Sequence, residues 1–346
     1  RGWCVLEMFA SFLSREKTHP ILCITSREGT PEFVSSLEAQ KLAVGTCDFT
    51  CCQRNHTFGD KVVPCDRGIT RGILKQLLDS KIQHLYGLQE TMRARLYACG
   101  SQWWLRDSTK VSNRTSLKAF RKRLKWTSKE DDKSGVETWM DRFEVSCLAY
   151  AVIANEENVV SELLLQHKRC GDIDSLLAWR FSREGVVEIG IPGHATVLHL
   201  ATMLANQEIV LALLQAGADV YATDVMGNDA VMLACTFGRV ENIEAWYTKN
   251  SDWNIDRRNE RFKSTALHFA VYLGPRKLDC VRYLIEERGA DVEISNKSGT
   301  SALILACGNE DSDPKVVRYL LEQDCIDVNR QIKSQTSKWK LLRAAA

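Results

Sequence analysis

The segment Thr196–Val220 decides the fold class, and it reads TVLHLATMLANQEIVLALLQAGADV. Its first half places Leu198 and Ala201 three residues apart, so a helix would carry both on one face. Its second half groups aliphatic residues at helical spacing up to Leu214, which we expect to be buried. Gly217 follows where a helix must end with a positive φ. The segment therefore predicts two short packed helices and a turn.

The same pattern recurs along the chain. Residues equivalent to Leu198 follow at intervals of 33, 36 and 36 residues, and the small residues keep the same steps: Val231, Leu267 and Leu303, with Ala201, Ala234, Ala270 and Ala306. An earlier copy begins at Cys147, and the surplus before the next copy falls within residues 171–193. One helix pair cannot bury its apolar face alone, so at least about three copies must stack.

The step of about 33 residues and these leucine, alanine and glycine positions resemble the ankyrin repeat. The resemblance covers residues 143–330 and implies a mainly α fold, a solenoid of helix–turn–helix repeats with projecting turns. It also implies the function, because ankyrin arrays bind other proteins through their turn tips and inner helices. We therefore expect a protein-interaction scaffold and not an enzyme, with no cofactor.

Three projecting turns supply the expected contact residues: Tyr221, Thr223, Asp224 and Met226; Asn254, Asp256, Arg257 and Arg258; Glu293, Ser295, Asn296 and Lys297. Tyr221, Met226 and Arg258 are the expected anchors, since aromatic, flexible apolar and planar cationic side chains dominate contact energies. His199 and His268 occupy the fourth slot of the repeat motif. Their side chains are expected to hydrogen-bond within the turn or to the adjacent repeat, without a metal or catalytic role.

The first 66 residues carry a different pattern. An amphipathic stretch precedes Pro20–Thr25, which predicts a buried strand and a helix-then-strand unit of an α/β fold. The residues Trp3–Glu7 resemble the Trp-Cys-x-x-Glu helix of Toll/interleukin-1 receptor-like (TIR) domains. In NAD-cleaving members that glutamate is the catalytic carboxylate, so the resemblance implies this role for Glu7; a solvated glutamate near a helix start is the competing interpretation.

The first strand and the covering loop of such a TIR-like domain would lie before Arg1. We therefore expect residues 1–66 to be a truncated α/β segment that does not turn over NAD. The alternative function is that of the regulatory and C-terminal part of a TIR-like NAD hydrolase involved in signalling.

Cysteines concentrate between residues 44 and 66. The side chains of Cys47, Cys51, His56 and Cys65 could supply the four nitrogen and sulfur ligands that zinc takes. The spacing contains no Cys-x-x-Cys pair, and the adjacent Cys51 and Cys52 would point to opposite faces of a strand. Ordinary reduced cysteines on a short two-stranded element are the interpretation we favour here, with no metal.

Residues 67–142 predict a helical connector that could serve as a degenerate capping repeat. An apolar stripe at helical spacing runs from Ile69 to Tyr86, Asp66 can cap its start, and Gly87 permits a turn before a second helix. The basic stretch Arg114–Lys125 could bind polyanions, but acidic residues follow it at once. The solvated face of a short helix, packed through its apolar residues Leu117, Phe120 and Leu124, is the favoured interpretation.

The composition limits the partners. Among 346 residues, 46 Lys and Arg balance 44 Asp and Glu, and the net charge of +2 gives no general attraction to nucleic acid or acidic membranes. No apolar run approaches the roughly 18 residues that span a bilayer. The 13 cysteines fall far below the density of disulfide scaffolds, which favours reduced thiols and a cytoplasmic location. We expect another protein as partner, no small-molecule substrate, and a tail at residues 331–346.

Overall fold

The computed structural model describes residues 6–7, 10, 13, 21–23, 32–34, 49–105, 115–126, 140–141, 143–186, 189–273, 277–308, 313–323 and 326–327. The fold is mainly α-helical, as predicted. Two compact units divide the chain: Arg1–His167 with Val186–Ile191, and Lys168–Gly185 with Pro192–Ala346. The domain boundaries predicted at residues 66, 142 and 330 stay predictions, and the tail at 331–346 lies outside the described residues.

The first unit combines two small hairpins with helices of very different lengths. Its strands are β1 (Ile21–Cys23), β2 (Glu32–Val34), β3 (Thr57–Phe58) and β4 (Lys61–Val62). Its helices are α1 (Thr50–Gln53), α2 (Asp66–Gly87), α3 (Thr91–Leu105), α4 (Leu117–Arg123), α5 (Cys147–Ile153) and α6 (Glu157–Cys170), whose C-terminal end belongs to the second unit.

The N-terminal strand lies where the sequence predicts one. β1 follows the helical residues Leu6, Glu7 and Ala10, and it pairs antiparallel with β2, with Ile21 opposite Val34. Leu6 and Leu13 are buried, whereas the helical Glu7 is exposed to solvent. An exposed Glu7 is what the interpretation as a solvated helix-start residue requires.

The connector helices begin and end close to the predicted positions. α2 buries Leu74, Leu78, Ile82 and Leu85, four residues of the predicted stripe. The expected cap is wrong, since Cys65 holds the N-cap position and Asp66 is the first helical residue. In α4, the short helix of the basic stretch, the apolar residues Leu117 and Phe120 are buried and Leu124 follows them into the core, as predicted.

The second unit is built from short helices arranged in consecutive pairs. They are α7 (Ile173–Leu177), α8 (Val197–Leu204), α9 (Gln207–Gln215), α10 (Ala230–Thr236), α11 (Val240–Lys249), α12 (Ala266–Leu273), α13 (Lys277–Arg282), which continues as the π-helical turn Tyr283–Glu287, α14 (Ala302–Gly308) and α15 (Pro314–Leu321). In the part of the chain that the structure describes, no helix has both the length and the apolar character needed to cross a membrane.

The repeat register predicted from the sequence is confirmed. The four core-slot residues Leu198, Val231, Leu267 and Leu303 are at most 8% exposed. The small residues of the second slot are equally buried: Ala201, Ala234, Ala270 and Ala306. Each helix pair therefore packs through the face that the period identifies.

The outer helix α9 departs from the expectation by one residue. Leu213 is fully buried, whereas Leu214, which we expected in the core, is only half-buried. Ile209, Leu213 and Val210 together span about 100° of the helix surface, and Leu214 lies about 40° beyond Val210, at the edge of this buried face. The expectation that Leu214 lies in the core was wrong because this residue falls at the edge of the buried face and not inside it.

We expect Leu213→Ala to lower the free energy of unfolding by at least about 2 kcal/mol, because it leaves a cavity between packed helices. The matched control is Leu214→Ala, which removes the same atoms from a half-buried position and is expected to cost less. Urea denaturation of both variants measures the difference. A larger loss for Leu214→Ala than for Leu213→Ala would contradict this helix phase.

A buried amide links consecutive repeats. Asn242, on α11, is 1% exposed, and its Nδ2 donates to carbonyls at the C-terminal end of α8: Ala201 (3.3 Å), Thr202 (3.0 Å) and Ala205 (2.9 Å). The last carbonyls of a helix have no partner within that helix, so an amide from the next repeat satisfies them. These hydrogen bonds tie α11 to the C-terminal end of α8 in the preceding repeat.

Candidate functional site

Backbone hydrogen bonds join the projecting turns of successive repeats into a continuous edge. In each case an amide donates to a carbonyl of the preceding turn: Val225 to Gly193 (2.9 Å), Arg261 to Met226 (3.4 Å) and Lys297 to Phe262 (2.7 Å). A Cβ at Gly193 would lie 1.8 Å from the carbonyl oxygen of Arg183, so only glycine fits at the first of these positions. The turns are therefore held together as one surface.

Each turn is closed from inside by a short polar side chain. In the first turn, Asp224 Oδ1 accepts hydrogen bonds from the amides of Met226 (2.8 Å) and Asn228 (2.9 Å). Asp224 is 5% exposed, and burial raises the pKa of its carboxyl group. The expectation that Asp224 contacts a partner is therefore corrected, because its oxygens are used to hold the turn.

The two repeat histidines have the structural role that the sequence predicts. His199 Nδ1 accepts from the amide of Thr196 (3.0 Å) and completes a capping box at the start of α8. His268 Nδ1 accepts in the same way from Thr265 (3.2 Å), and its Nε2 donates to the carbonyl of Thr300 (3.0 Å) in the following turn. Both rings are buried.

These buried histidines predict a loss of stability in mild acid. Burial lowers the pKa of His199 to about 4 from its ordinary value of 6.5; the Arg180 cation acts in the same direction, and Asp219 opposes it. Between these two pH values, His199 therefore binds a proton in the unfolded chain but not in the folded chain. The stabilisation is complete above pH 6.5 and is lost as the pH falls toward 4.

Between pH about 7 and about 4.5, we expect the free energy of unfolding of the wild type to fall by about 2–3 kcal/mol more than that of His199→Gln. Urea denaturation of the variant and the wild type at both pH values measures this difference. His194→Gln, which changes an exposed histidine, is the control and should keep the wild-type pH dependence. Identical pH profiles for the wild type and His199→Gln would contradict the prediction.

An aromatic and arginine cluster lies on the first two turns. Tyr221 is 66% exposed, and its ring lies 5.5 Å from that of Trp253. The Arg257 guanidinium stacks 5.5 Å from the Tyr221 ring and 4.7 Å from the Trp253 ring, and it pairs with Asp229 Oδ2 at 3.5 Å. Trp253 also contacts the core residue Trp246, with ring centroids 5.1 Å apart. The exposed ring of Tyr221 is thus supported from below.

A recess of about 270 Å³ opens between the turns and the inner helices α12 and α14. It is lined by Phe262, Ser264, His268, Phe269, Tyr272, Asn296, Ser298 and Leu305. Phe262 and Tyr272 remain 46% and 50% exposed, respectively. Two half-exposed aromatic rings around an apolar recess have the composition of a protein-contact surface.

The predicted turn residues differ in how far they are exposed to solvent. Tyr221, Asn254, Arg258 and Lys297 are exposed; Thr223, Met226, Asp256, Arg257, Glu293, Ser295 and Asn296 are half-buried. Trp253, Phe262 and Tyr272 belong to this surface and were not predicted from the sequence. Phe262 could have been noticed in the sequence, because it is an aromatic residue between two cations in a polar turn. Tyr272 could also have been noticed, because its position on the helix is not on the face that packs into the core.

The cysteine-rich segment before α2 brings four ligand atoms together. The sulfur atoms of Cys51, Cys52 and Cys65 and a ring nitrogen of His56 all lie within 4.8 Å of one another. The sequence favoured reduced cysteines without a metal, and its candidate ligand set included Cys47, which lies outside the described residues, and omitted Cys52. The objection that Cys51 and Cys52 diverge was wrong: both lie on helix α1, where neighbours differ by about 100° and not 180°.

Comparison with known families identifies the repeat array. The profile described as "Ankyrin repeats (3 copies)" matches residues 231–332, and the profile "Ankyrin repeat" matches residues 194–225. The chain carries ankyrin repeats. The matched family segments lie between residues 194 and 332, so they give no support to the TIR resemblance of the first 66 residues.

Individual relatives match the chain over limited lengths. The mouse B-cell lymphoma 3 protein homolog is 33% identical over 144 residues, which are 41% of this chain and 31% of the relative. The Arabidopsis thaliana E3 ubiquitin-protein ligase XBAT33 is 33% identical over 90 residues, 26% of this chain and 17% of the relative. The chain thus spans less than a third of the length of either relative.

One solved structure matches a larger share of the chain than these relatives do. The ankyrin repeat domain of Bcl-3 is 27% identical, covers 58% of this chain and 87% of that domain, and has a TM-score of 0.41.

Proposed function

We propose that this chain is a scaffold that binds a partner protein through the turns and inner helices of its ankyrin repeats. The recess beside Phe262 and Tyr272 is the observation that carries the proposal. Both rings are about half exposed. Because the exposed surface is mostly apolar, a partner could cover each ring with little loss of polar hydration. The ankyrin-repeat profiles match residues 194–225 and 231–332, a range that includes Phe262 and Tyr272, which supports the proposal.

The chemistry of the surface indicates what the partner presents. The recess accepts an apolar side chain, since four of the eight residues that line it are the apolar or aromatic Phe262, Phe269, Tyr272 and Leu305. The exposed cations Arg261, Lys263 and Lys297 flank Phe262 in sequence or contact its backbone. We therefore propose an apolar anchor flanked by acidic residues, because rim charges of opposite sign steer association and select the partner.

The exposed ring of Tyr221 provides a second contact. Its support by Trp253 and Arg257 fixes its orientation, which lowers the entropy lost on binding. The contact set that we propose keeps the predicted turn residues except Asp224, and adds Phe262 and Tyr272. A cytoplasmic location forms part of this proposal.

The double variant Phe262→Ala and Tyr272→Ala should weaken partner binding at least about a hundredfold, because each anchor is expected to contribute about 1–2 kcal/mol or more. Proteins captured by the wild-type chain from a cell extract are first identified, and their affinities for purified wild type and variant are then measured. Leu321→Ala is the control, since Leu321 is 50% exposed on α15 and is not among the residues that line the recess.

The proposal fails if the double variant binds the captured partners as tightly as the wild type does. It also fails if Leu321→Ala causes an equal loss. Circular dichroism must show unchanged helix content for the comparison to count. Loss of binding on changing Arg121, Lys122 and Arg123 instead would place the recognition surface on α4.

The alternative of a TIR-like NAD hydrolase stays a prediction. It depends on residues around Glu7, and the matched family segments begin only at residue 194. The side chain of Glu7 is exposed to solvent.

A further inference from the structure

The strongest feature outside the repeats is the cluster of three thiols and one imidazole that precedes α2. We propose that Cys51, Cys52, His56 and Cys65 bind one Zn²⁺ ion in a closed, structural site. Three sulfur ligands and one nitrogen ligand are a set that zinc takes in tetrahedral structural sites. The inference is independent of the proposed scaffold function, because it concerns the first unit alone.

The sulfur geometry matches a tetrahedral ion. Zinc–sulfur bonds of about 2.3 Å at tetrahedral angles place two sulfur atoms about 3.8 Å apart. The Sγ atoms of Cys52 and Cys65 lie 3.7 Å apart. A disulfide would require about 2.05 Å, so this separation is that of two ligands and not of a bonded pair. The remaining ligand atoms, all within 4.8 Å, need to close by about 1 Å at most.

His56 supplies an independent indication. Its Nδ1 is buried and has no hydrogen-bond partner among the described residues. A buried imidazole nitrogen without a partner loses its hydration and gains nothing in return, which costs free energy. A metal ion placed among the three sulfur atoms would satisfy this nitrogen.

The backbone around the cluster is arranged to hold the ligands. His56 adopts a positive φ of 57°, and its amide donates to the carbonyl of Cys51 at 2.7 Å, which turns the chain back toward α1. The amide of Asp66 donates to Cys51 Sγ at 3.4 Å, as backbone amides do to thiolate ligands. Cys65 occupies the N-cap of α2, where the helix dipole favours a negatively charged sulfur.

The ion would also account for the stability of this segment. β3 and β4 contain two residues each, and a two-stranded hairpin is at best marginally stable in water on its own. Zinc binding would join the hairpin, α1 and the start of α2 through side chains, so its binding free energy would become folding free energy.

The first test measures the metal content of the full chain. The protein is expressed with added zinc, purified under reducing conditions without chelators, and analysed by plasma mass spectrometry. We expect about one zinc ion per chain. Cys52→Ser and His56→Ala should each weaken zinc binding by more than about a hundredfold. Loss of a residue that only hydrogen-bonds to a ligand typically weakens metal binding by about 10- to 100-fold, so a larger effect identifies a direct ligand.

Two cysteine variants serve as matched controls. Cys170→Ser changes an exposed thiol outside the cluster and should retain the zinc. Cys47→Ser should also retain it, because Cys52 is the fourth ligand in the proposed set. Loss of zinc from Cys47→Ser together with its retention by Cys52→Ser would overturn the ligand assignment.

A second measurement remains informative if the ligand variants fail to fold. Co²⁺ bound to the wild-type chain should give the intense visible bands of a tetrahedral ion and a thiolate charge-transfer band. His56→Cys should retain the ion and shift these bands, because a sulfur replaces a nitrogen. A wild-type chain that holds no zinc and shows no tetrahedral cobalt spectrum overturns the proposal, as does a metal-free protein with a Cys52–Cys65 disulfide.

Discussion

Replacing Arg95 by alanine is expected to lower the free energy of unfolding of the first unit by about 3–5 kcal/mol. Arg95, on α3, is 1% exposed, and its Nη1 lies 2.6 Å from Oδ2 of Asp141, which is fully buried. Its other donors reach the carbonyls of Leu124 (2.9 Å) and Lys125 (2.7 Å), and its guanidinium stacks 5.1 Å from the Trp126 ring. Alanine would leave a buried carboxylate and two buried carbonyls without their cation.

Asp141 is the centre of this network. Its Oδ1 accepts from the amides of Phe143 (2.9 Å) and Val145 (3.0 Å), and its Oδ2 accepts from the Tyr150 hydroxyl (2.9 Å). Burial, followed by the Asp141 carboxylate, raises the pKa of Tyr150, so the hydroxyl keeps its proton and remains a donor. The carboxylate is thus fully bonded only while Arg95 is present.

Arg93→Ala is the matched control for Arg95→Ala. Arg93 lies on the same helix and pairs with Glu90, but its side chain is 32% exposed, so its loss should cost at most about 1 kcal/mol. Urea denaturation measures both variants, and hydrogen exchange localises the change to α3 and α4. If Arg95→Ala with Asp141→Asn costs as much as the two single changes added together, the network does not act as a unit.

The sequence could not predict this network, although it predicts the repeats. Leu198 and Ala201 belong to a pattern that occurs four times within residues 198–306, and local spacing alone determines which face they bury. Arg95 does not belong to a repeating sequence pattern of this kind. Its partners come from positions up to 46 residues away, and only the packed fold brings them together. A buried arginine between Ala94 and Leu96 could have been suspected, but its carboxylate could not have been identified.

The cysteine cluster shows a different limit of sequence reasoning. The ligand candidates Cys51, His56 and Cys65 follow from residue type and proximity alone. Whether Cys52 joins them depends on the local secondary structure, because a strand separates adjacent side chains and a helical turn lets them converge. The turn Thr50–Gln53 is too short to show a helical period in the sequence.

Trp246→Ala is expected to lower the free energy of unfolding of the second unit by about 3–5 kcal/mol. Trp246 lies on α11 and is fully buried, so alanine leaves a cavity too large for the surrounding helices to fill. The loss extends beyond the core, because the ring of Trp253 packs edge-on against Trp246 and supports the exposed ring of Tyr221. We therefore expect the variant to weaken partner binding as well.

Two further variants separate packing from contact. Trp246→Phe keeps an aromatic ring against Trp253 and should lose less stability than Trp246→Ala. Tyr221→Ala removes the exposed ring alone; it should change stability by no more than about 0.5 kcal/mol while weakening binding. Chemical denaturation and affinity measurements on the same preparations give both quantities. A loss of stability below about 1 kcal/mol for Trp246→Ala would mean that α11 does not pack through this ring. Unchanged binding by both alanine variants would remove the first turn from the contact surface and leave the recess beside Phe262 as the binding element.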